Sequence, residues 1–231
     1  ILVLIILLLI LAIALSMPSV QTYLAKYATE KLNEKFKVNI TVDKVAITAF
    51  GGVKLKGVMV KDYQKDTLIY ASRIKTNILD ASQLLDGNLI FGTLDADSLR
   101  VKIVTYKGDN NNTLDHFISA FDDGKPSSGK FLMTVDKLEA KNSRFSVTDY
   151  NKPKPIDVDF TKLNTTLTAF KVKGPNVYSK INAMTFHDHR GLVVKSLTSD
   201  FTYTKQNIRL ANLVTKTENS TYDGDVLLSY E

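Results

Sequence analysis

A mainly β fold behind a helical N-terminus follows from three features of the sequence. Residues 1–15 are an unbroken apolar run, residues 17–37 carry apolar side chains at helical spacing, and almost everything from Val38 onward alternates with a period of two. The expected organisation is a transmembrane signal-anchor at 1–16, an amphipathic helix at 17–37, and an elongated, curved antiparallel β-sheet with short helical insertions over 38–231. The chain opens without Met and stops inside an alternating run, so the expectation includes an anchor that starts further upstream and a sheet that continues past Glu231. At 44% hydrophobic and 23% charged the chain can bury a core and lacks the polar bias of disorder.

Ile1 to Leu15 contains only Ile, Leu, Val and Ala, and its lipid-facing candidates are Ile1, Leu4, Leu8, Leu11 and Leu15. A spanning helix needs about 20 residues. A cleaved signal peptide is the competing reading, because Ala12-Ile13-Ala14 offers a small-x-small site. The anchor is favoured because Ser16 to Lys37 carries on as helix without a break. Within that helix Val20, Tyr23, Leu24, Tyr27, Ala28, Leu32 and Phe36 form one apolar stripe. The stripe can cap the sheet or lie on a membrane, and capping is the simpler expectation. Lys26, Lys31 and Lys35 follow the apolar run, but with one flank visible the positive-inside rule leaves orientation open.

From Val38 the strands come in quick succession. Val38, Ile40 and Val42 alternate, and Val45 and Ile47 resume after a shift of parity. Phe50-Gly51-Gly52 reads as a turn, Val53 to Leu55 as a strand, Gly57 as a kink or bulge, and Val58 to Asp62 as its continuation. Leu68 to Leu79 alternates, Ala81 to Leu85 reads as a helical turn, and Leu89, Phe91, Leu99, Val101 and Ile103 resume the period. Thr113 to Phe121 reads as a second short helix with Leu114, Phe117, Ile118 and Phe121 on one side. A meander of strands follows to Leu228. So few helices leave the apolar faces without a covering layer, so the sheet is expected to curl or to leave an apolar trough. Its lining candidates are Val53, Leu55, Val58, Val60, Leu68, Ile74, Ile78, Leu99, Val101 and Ile103.

The run Phe50-Gly51-Gly52-Val53-Lys54-Leu55-Lys56-Gly57-Val58-Met59-Val60-Lys61-Asp62, the strand to Leu79 and Leu84-Leu85-Asp86-Gly87-Asn88-Leu89 carry a resemblance. With the apolar run, Pro18 and the helix ahead of them, they make the chain similar to the N-terminal region of the TamB/AsmA-like family. The resemblance covers nearly the whole chain through degenerate apolar and Gly patterns. It implies a chorein-related, bridge-like lipid transfer protein: a single inner-membrane anchor, a β-taco groove in the periplasm of a Gram-negative envelope, phospholipid as cargo, and an outer-membrane barrel of the Omp85 family as partner. It also implies a role in translocation and assembly of outer-membrane proteins, which stays open beside lipid transport.

Chemistry is sparse. There is no G-x-S-x-G, P-loop, dinucleotide fingerprint or H-E-x-x-H, so no catalytic residue and no cofactor is assigned, and a non-enzymatic role is expected. The absence of Cys removes disulfides and thiolate metal sites. His187-Asp188-His189 places two His on one strand face without a third ligand in view, and Arg190-Gly191 beside it marks a hairpin end. His116 belongs to the surface of the second helix. Asp95, Asp97, Asp122 and Asp123 lack the spacing of a Ca²⁺ loop. The charge of +6 and pI near 9.2 are spread along alternating strands, and the aromatics follow strand parity, so nucleic-acid binding is not expected.

Overall fold

The computed structural model describes residues 17–48, 52–78, 88–120, 132–174, 176–204 and 206–229. The anchor expected at 1–16 and the helical turn expected at 81–85 lie outside the described residues, as do Phe121, Asp122 and Asp123. Helix α1 spans Pro18–Phe36. Pro18 suits the first helical position, where its missing N–H costs nothing, and Lys37 ends the helix in the left-handed conformation at φ 54°. Among the described residues no helix is long and apolar enough to cross a membrane.

Eleven strands and one short helix follow: β1 (Asn39–Ile47), β2 (Gly52–Lys61), β3 (Thr67–Ile78), β4 (Leu89–Asp97), β5 (Arg100–Thr105), α2 (Thr113–Ser119), β6 (Leu132–Asp149), β7 (Ile156–Lys173), β8 (Asn176–Asp188), β9 (Val193–Tyr203), β10 (Asn207–Lys216) and β11 (Thr221–Ser229). They form one sheet in chain order, with β4 and β5 end to end between β3 and β6. Helix α2 ends sooner than expected. It begins where the Asn112 side chain accepts from the Leu114 and Asp115 N–H groups, each at 2.9 Å.

The expectation of a purely antiparallel sheet is corrected at one seam, where β6 runs parallel to both β4 and β5. Hairpin loops can join only antiparallel neighbours. The connection from β5 to β6 is instead a crossover through residues 106–131 that includes α2, and a crossover of that length permits parallel pairing. All the other neighbouring strands pair antiparallel.

Gly57 confirms the expected kink. Its φ is +60°, and a Cβ there would stand 1.9 Å from Asp43 Oδ2. Opposite it the defect continues from strand to strand: Ser72 Oγ donates to the Asp97 carbonyl, Ser98 N to the Lys141 carbonyl, and Asn142 N to Asn164 Oδ1. Ser98, Asn142 and Lys162 all take positive φ, at 54°, 52° and 51°. Along this line the residues of one face step by three instead of two, as in Val42 to Val45, Leu55 to Val58, Ala71 to Ile74, Ala96 to Leu99, Ala140 to Ser143 and Phe160 to Leu163. From β1 to β6 each shift matches its neighbour's, and between β6 and β7 two successive register shifts offset one another, so the apolar side chains stay on one face.

Candidate apolar binding face

Register turns that common face into continuous rows. Val45, Leu55, Ile74, Ala96, Ala140, Thr165, Met184 and Leu197 are successive partners from β1 to β9. Ile40, Val60, Ile69, Val101, Phe145 and Phe160 make a second row from β1 to β7. A third runs from β4 to the last strand through Leu89, Met133, Val172, Val177, Tyr203, Ile208 and Leu228. Directly opposed side chains of this kind are the unit of sheet stabilisation, each worth roughly 0.2–1 kcal/mol over Ala pairs.

Three clusters fill the face. Leu94, Ala96, Val135, Leu138 and Ala140 are buried, with Ile74, Phe91, Leu99, Met133, Leu167 and Phe170 packed against them. Leu163, Phe186 and Val194 form a second centre with Phe145, Phe160, Met184 and Leu197 around it, and the Phe160 and Phe186 rings stack at 4.0 Å. The third joins Ile118 of α2 and Val172, with Leu114, Phe117 and the shared Met133 and Phe170 packed against it. Helix α2 therefore contributes its apolar side to the same face. At its start Val104 N donates to Thr113 Oγ1, and both residues are almost wholly excluded from water.

The opposite face is ionic. Arg73 meets Asp97 at 2.6 Å, Lys137 meets Glu139 at 2.6 Å, and Arg144 grips both oxygens of Asp159 at 2.7 and 2.6 Å. The Arg73 guanidinium holds the Asp97 carboxyl below the usual carboxylate range. Arg73 and Arg144 pair with carboxylates on the adjacent strand and Lys137 with one two residues on in its own strand, as on a solvated surface.

Of the ten residues expected to line a trough, Val53, Leu55, Val58, Val60, Ile74, Leu99, Val101 and Ile103 fall on the apolar face. Val60 is buried, and the others are half-buried. Leu68 is fully buried beside a register shift between β2 and β3, so it is core rather than accessible lining. Ile78 opposes Phe91 in the ladder, and its side chain lies outside the described residues. The sequence reading missed the half of the face beyond β5, where Phe145, Phe160, Met184 and Phe186 are the bulkiest groups. Its signal was the repeated three-residue step, marked at Asn142 and Asn212 by residues that tolerate positive φ.

Helix α1 closes the β1 edge, but not through the stripe expected to do so. Asn33 Oδ1 accepts from Ile40 N and its Nδ2 donates to the Ile40 carbonyl. Thr22 Oγ1 accepts from Val45 N at 3.2 Å while donating to the Pro18 carbonyl at 2.7 Å, and Gln21 Oε1 accepts from Ile47 N at 2.8 Å. Polar side chains thus satisfy the outward backbone groups of an edge strand, which apolar ones cannot. The expected stripe is split: Val20, Leu32 and Phe36 are half-buried, whereas Tyr23 at 70%, Leu24 at 46%, Tyr27 at 54% and Ala28 are exposed.

Polar clusters elsewhere have structural partners. Asp188, buried, receives Arg190 Nε at 2.8 Å and Arg190 N at 2.9 Å, which fixes the β8–β9 turn and holds its carboxyl below the ordinary range. At the β2–β3 hairpin Tyr106 Oη lies 2.9 Å from Asp62 Oδ2, and Tyr63 Oη donates to Asp109. Burial, with the Asp109 hydrogen bond second, pushes the Tyr63 hydroxyl up to about 12. The His116 ring packs tilted at 52° against Tyr63, centroids 4.5 Å apart. Among the described residues no group of three or more His, Asp or Glu could hold a metal. No protein-family model matches the chain, and no curated protein matches it.

Proposed function

We propose that this chain is a membrane-anchored, non-enzymatic envelope protein whose apolar sheet face carries phospholipid acyl chains between inner and outer membranes. The observation that carries the proposal is the overlapping set of largely apolar rows, two starting at β1 and one reaching β11, opposed by an ion-paired outer face. Ten strand positions at about 4.8 Å give a face roughly 43 Å across, comparable with the full thickness of a bilayer at about 40–45 Å. In this reading the sheet is elongated and curved, the rows line its trough, and headgroups stay at the open side in water.

Each methylene removed from water contributes about 0.8 kcal/mol, so a long acyl chain is retained, while neighbouring positions in a row are nearly equivalent and let it slide. No bond is made or broken. The resemblance to the TamB/AsmA-like family supports the same reading and its periplasmic placement. A photo-crosslinking residue at Val101, Ile103 or Leu138 should form phospholipid adducts in cells, with none at Lys102 or Lys137 on the ionic face. Absence of adducts at every apolar-face position would sink the proposal.

A further inference from the structure

We infer that the outward face of α1 lies in the headgroup layer of a lipid bilayer, with Tyr23, Leu24 and Tyr27 as its contact residues. The inference rests on the anchored reading of residues 1–16 but not on lipid transport. The first ground is exposure: α1 bonds to the β1 edge through Gln21, Thr22 and Asn33, Leu32 and Phe36 are half-buried, and Tyr23, Leu24 and Tyr27 are left on the solvent side. Met17 joins them at 51% exposed.

The second ground is a gradient along that outer side. Its first turns carry Met17, Tyr23, Leu24 and Tyr27 with Lys26 as their one charge, and charge becomes dense further on, with Glu30, Lys31, Glu34 and Lys35. From Met17 to Lys35, roughly 27 Å along the axis, the side therefore passes from apolar and aromatic to ionic, the order met on leaving acyl chains for headgroups and water. Tyr is suited to that boundary because its ring is apolar and its hydroxyl polar. Lys31 stands 5.7 Å over the Tyr27 ring and pairs with Glu34 at 2.8 Å, so the ionic end of this side begins directly above an aromatic contact.

The third ground fixes the occupant. The fifteen residues preceding Ser16 are wholly apolar, so the start of α1 is the point at which the chain passes from a lipid-compatible to an aqueous composition. A protein partner would need its own complementary groove, whereas a bilayer is already brought to this face by the sequence directly ahead of it.

The chain contains no Trp, so a single introduced Trp is an unambiguous probe. The full chain carrying Tyr23→Trp, Leu24→Trp, Tyr27→Trp, Glu34→Trp or Tyr222→Trp is reconstituted in vesicles of phosphatidylcholine with a minor fraction of phosphatidylglycerol, with and without brominated acyl chains. The expected result is blue-shifted emission and bromine quenching at 23, 24 and 27, weaker quenching at 34, and none at 222. Water-like, unquenched emission at 23, 24 and 27 in protein that floats with the vesicles overturns the inference and leaves the anchor standing. Protein that fails to float overturns both, and lipid adducts at Val101 or Leu138 are scored independently of either.

Discussion

The side-chain amide of Asn33 meets both backbone groups of Ile40, accepting from its N–H and donating to its carbonyl, each at 2.8 Å. One residue of a helix thereby reproduces the pair of bonds that a neighbouring strand would supply. Edge strands with free backbone groups are sites of unwanted pairing, and this one is closed by a side chain of fixed, bidentate shape.

Asn33→Ala should therefore act twice. Loss of two hydrogen bonds to a half-buried partner should cost about 1–2 kcal/mol, read as a lower urea midpoint at unchanged slope. The reopened edge should also promote self-association, read by light scattering. A variant that loses stability but stays as monodisperse as wild type would remove the edge-guarding role.

Gly57 should tolerate no side chain. Gly57→Val meets both a positive φ and the Asp43 carboxylate, and should destabilise by about 2–4 kcal/mol. Pairing Gly57→Ala with Asp43→Ala removes the carboxylate but leaves a Cβ 3.0 Å away, so a tight contact remains beside the backbone cost of about 1 kcal/mol. Lys162→Gly, at φ 51°, should change stability in the opposite direction by up to about 1 kcal/mol, measured by thermal unfolding.

Tyr63 should give the protein an alkaline limit. Its folded hydroxyl holds its proton up to about 12 against an ordinary value of 10.0, so the folded state binds that proton more tightly than the unfolded chain. The stability this supplies is complete below pH 10 and is lost as pH rises through the folded value near 12. Phenolate absorbance should show a late-titrating fraction. Asp109→Asn should move Tyr63 downward without reaching the ordinary value, because burial is the larger cause.

A charge on the apolar face should separate function from fold. Ile103 is half-buried, so Ile103→Glu should leave the circular dichroism spectrum and melting cooperativity intact while suppressing lipid adducts and lipid transfer between vesicles at least tenfold. Lys102→Glu, one residue away on the ionic face, should leave transfer within twofold. Equal loss from both variants would argue against an apolar track.

The strands and the Gly57 kink were legible because period two and a glycine between apolar runs have direct physical meaning. The facing of Val53 and Leu55 against Val58 and Val60 followed from it. Beyond β5 the same logic failed, because the shifts at Ser98, Lys162 and Ala169 are made by residues with no special preference for positive φ, and only the hydrogen bonds of adjacent strands hold them there. The docking side of α1 was misjudged for another reason. A periodicity argument ranks faces by apolarity, whereas an edge strand demands hydrogen-bond partners, so Gln21, Thr22 and Asn33 outrank Tyr23 and Leu24.

The parallel seam between β4, β5 and β6 also bears on how the molecule assembles. Apart from β3 with β5, which closes across β4, every other junction in the sheet joins chain neighbours, so β1 to β5 and β6 to β11 can each zip by shorter-range closures. Joining the two meanders requires residues 106–131 to be threaded across first, the one long-range closure in the topology. Refolding should therefore resolve into fast growth of two half-sheets and a slower docking of one upon the other, with β4, β5 and β6 the last strands to gain amide-exchange protection.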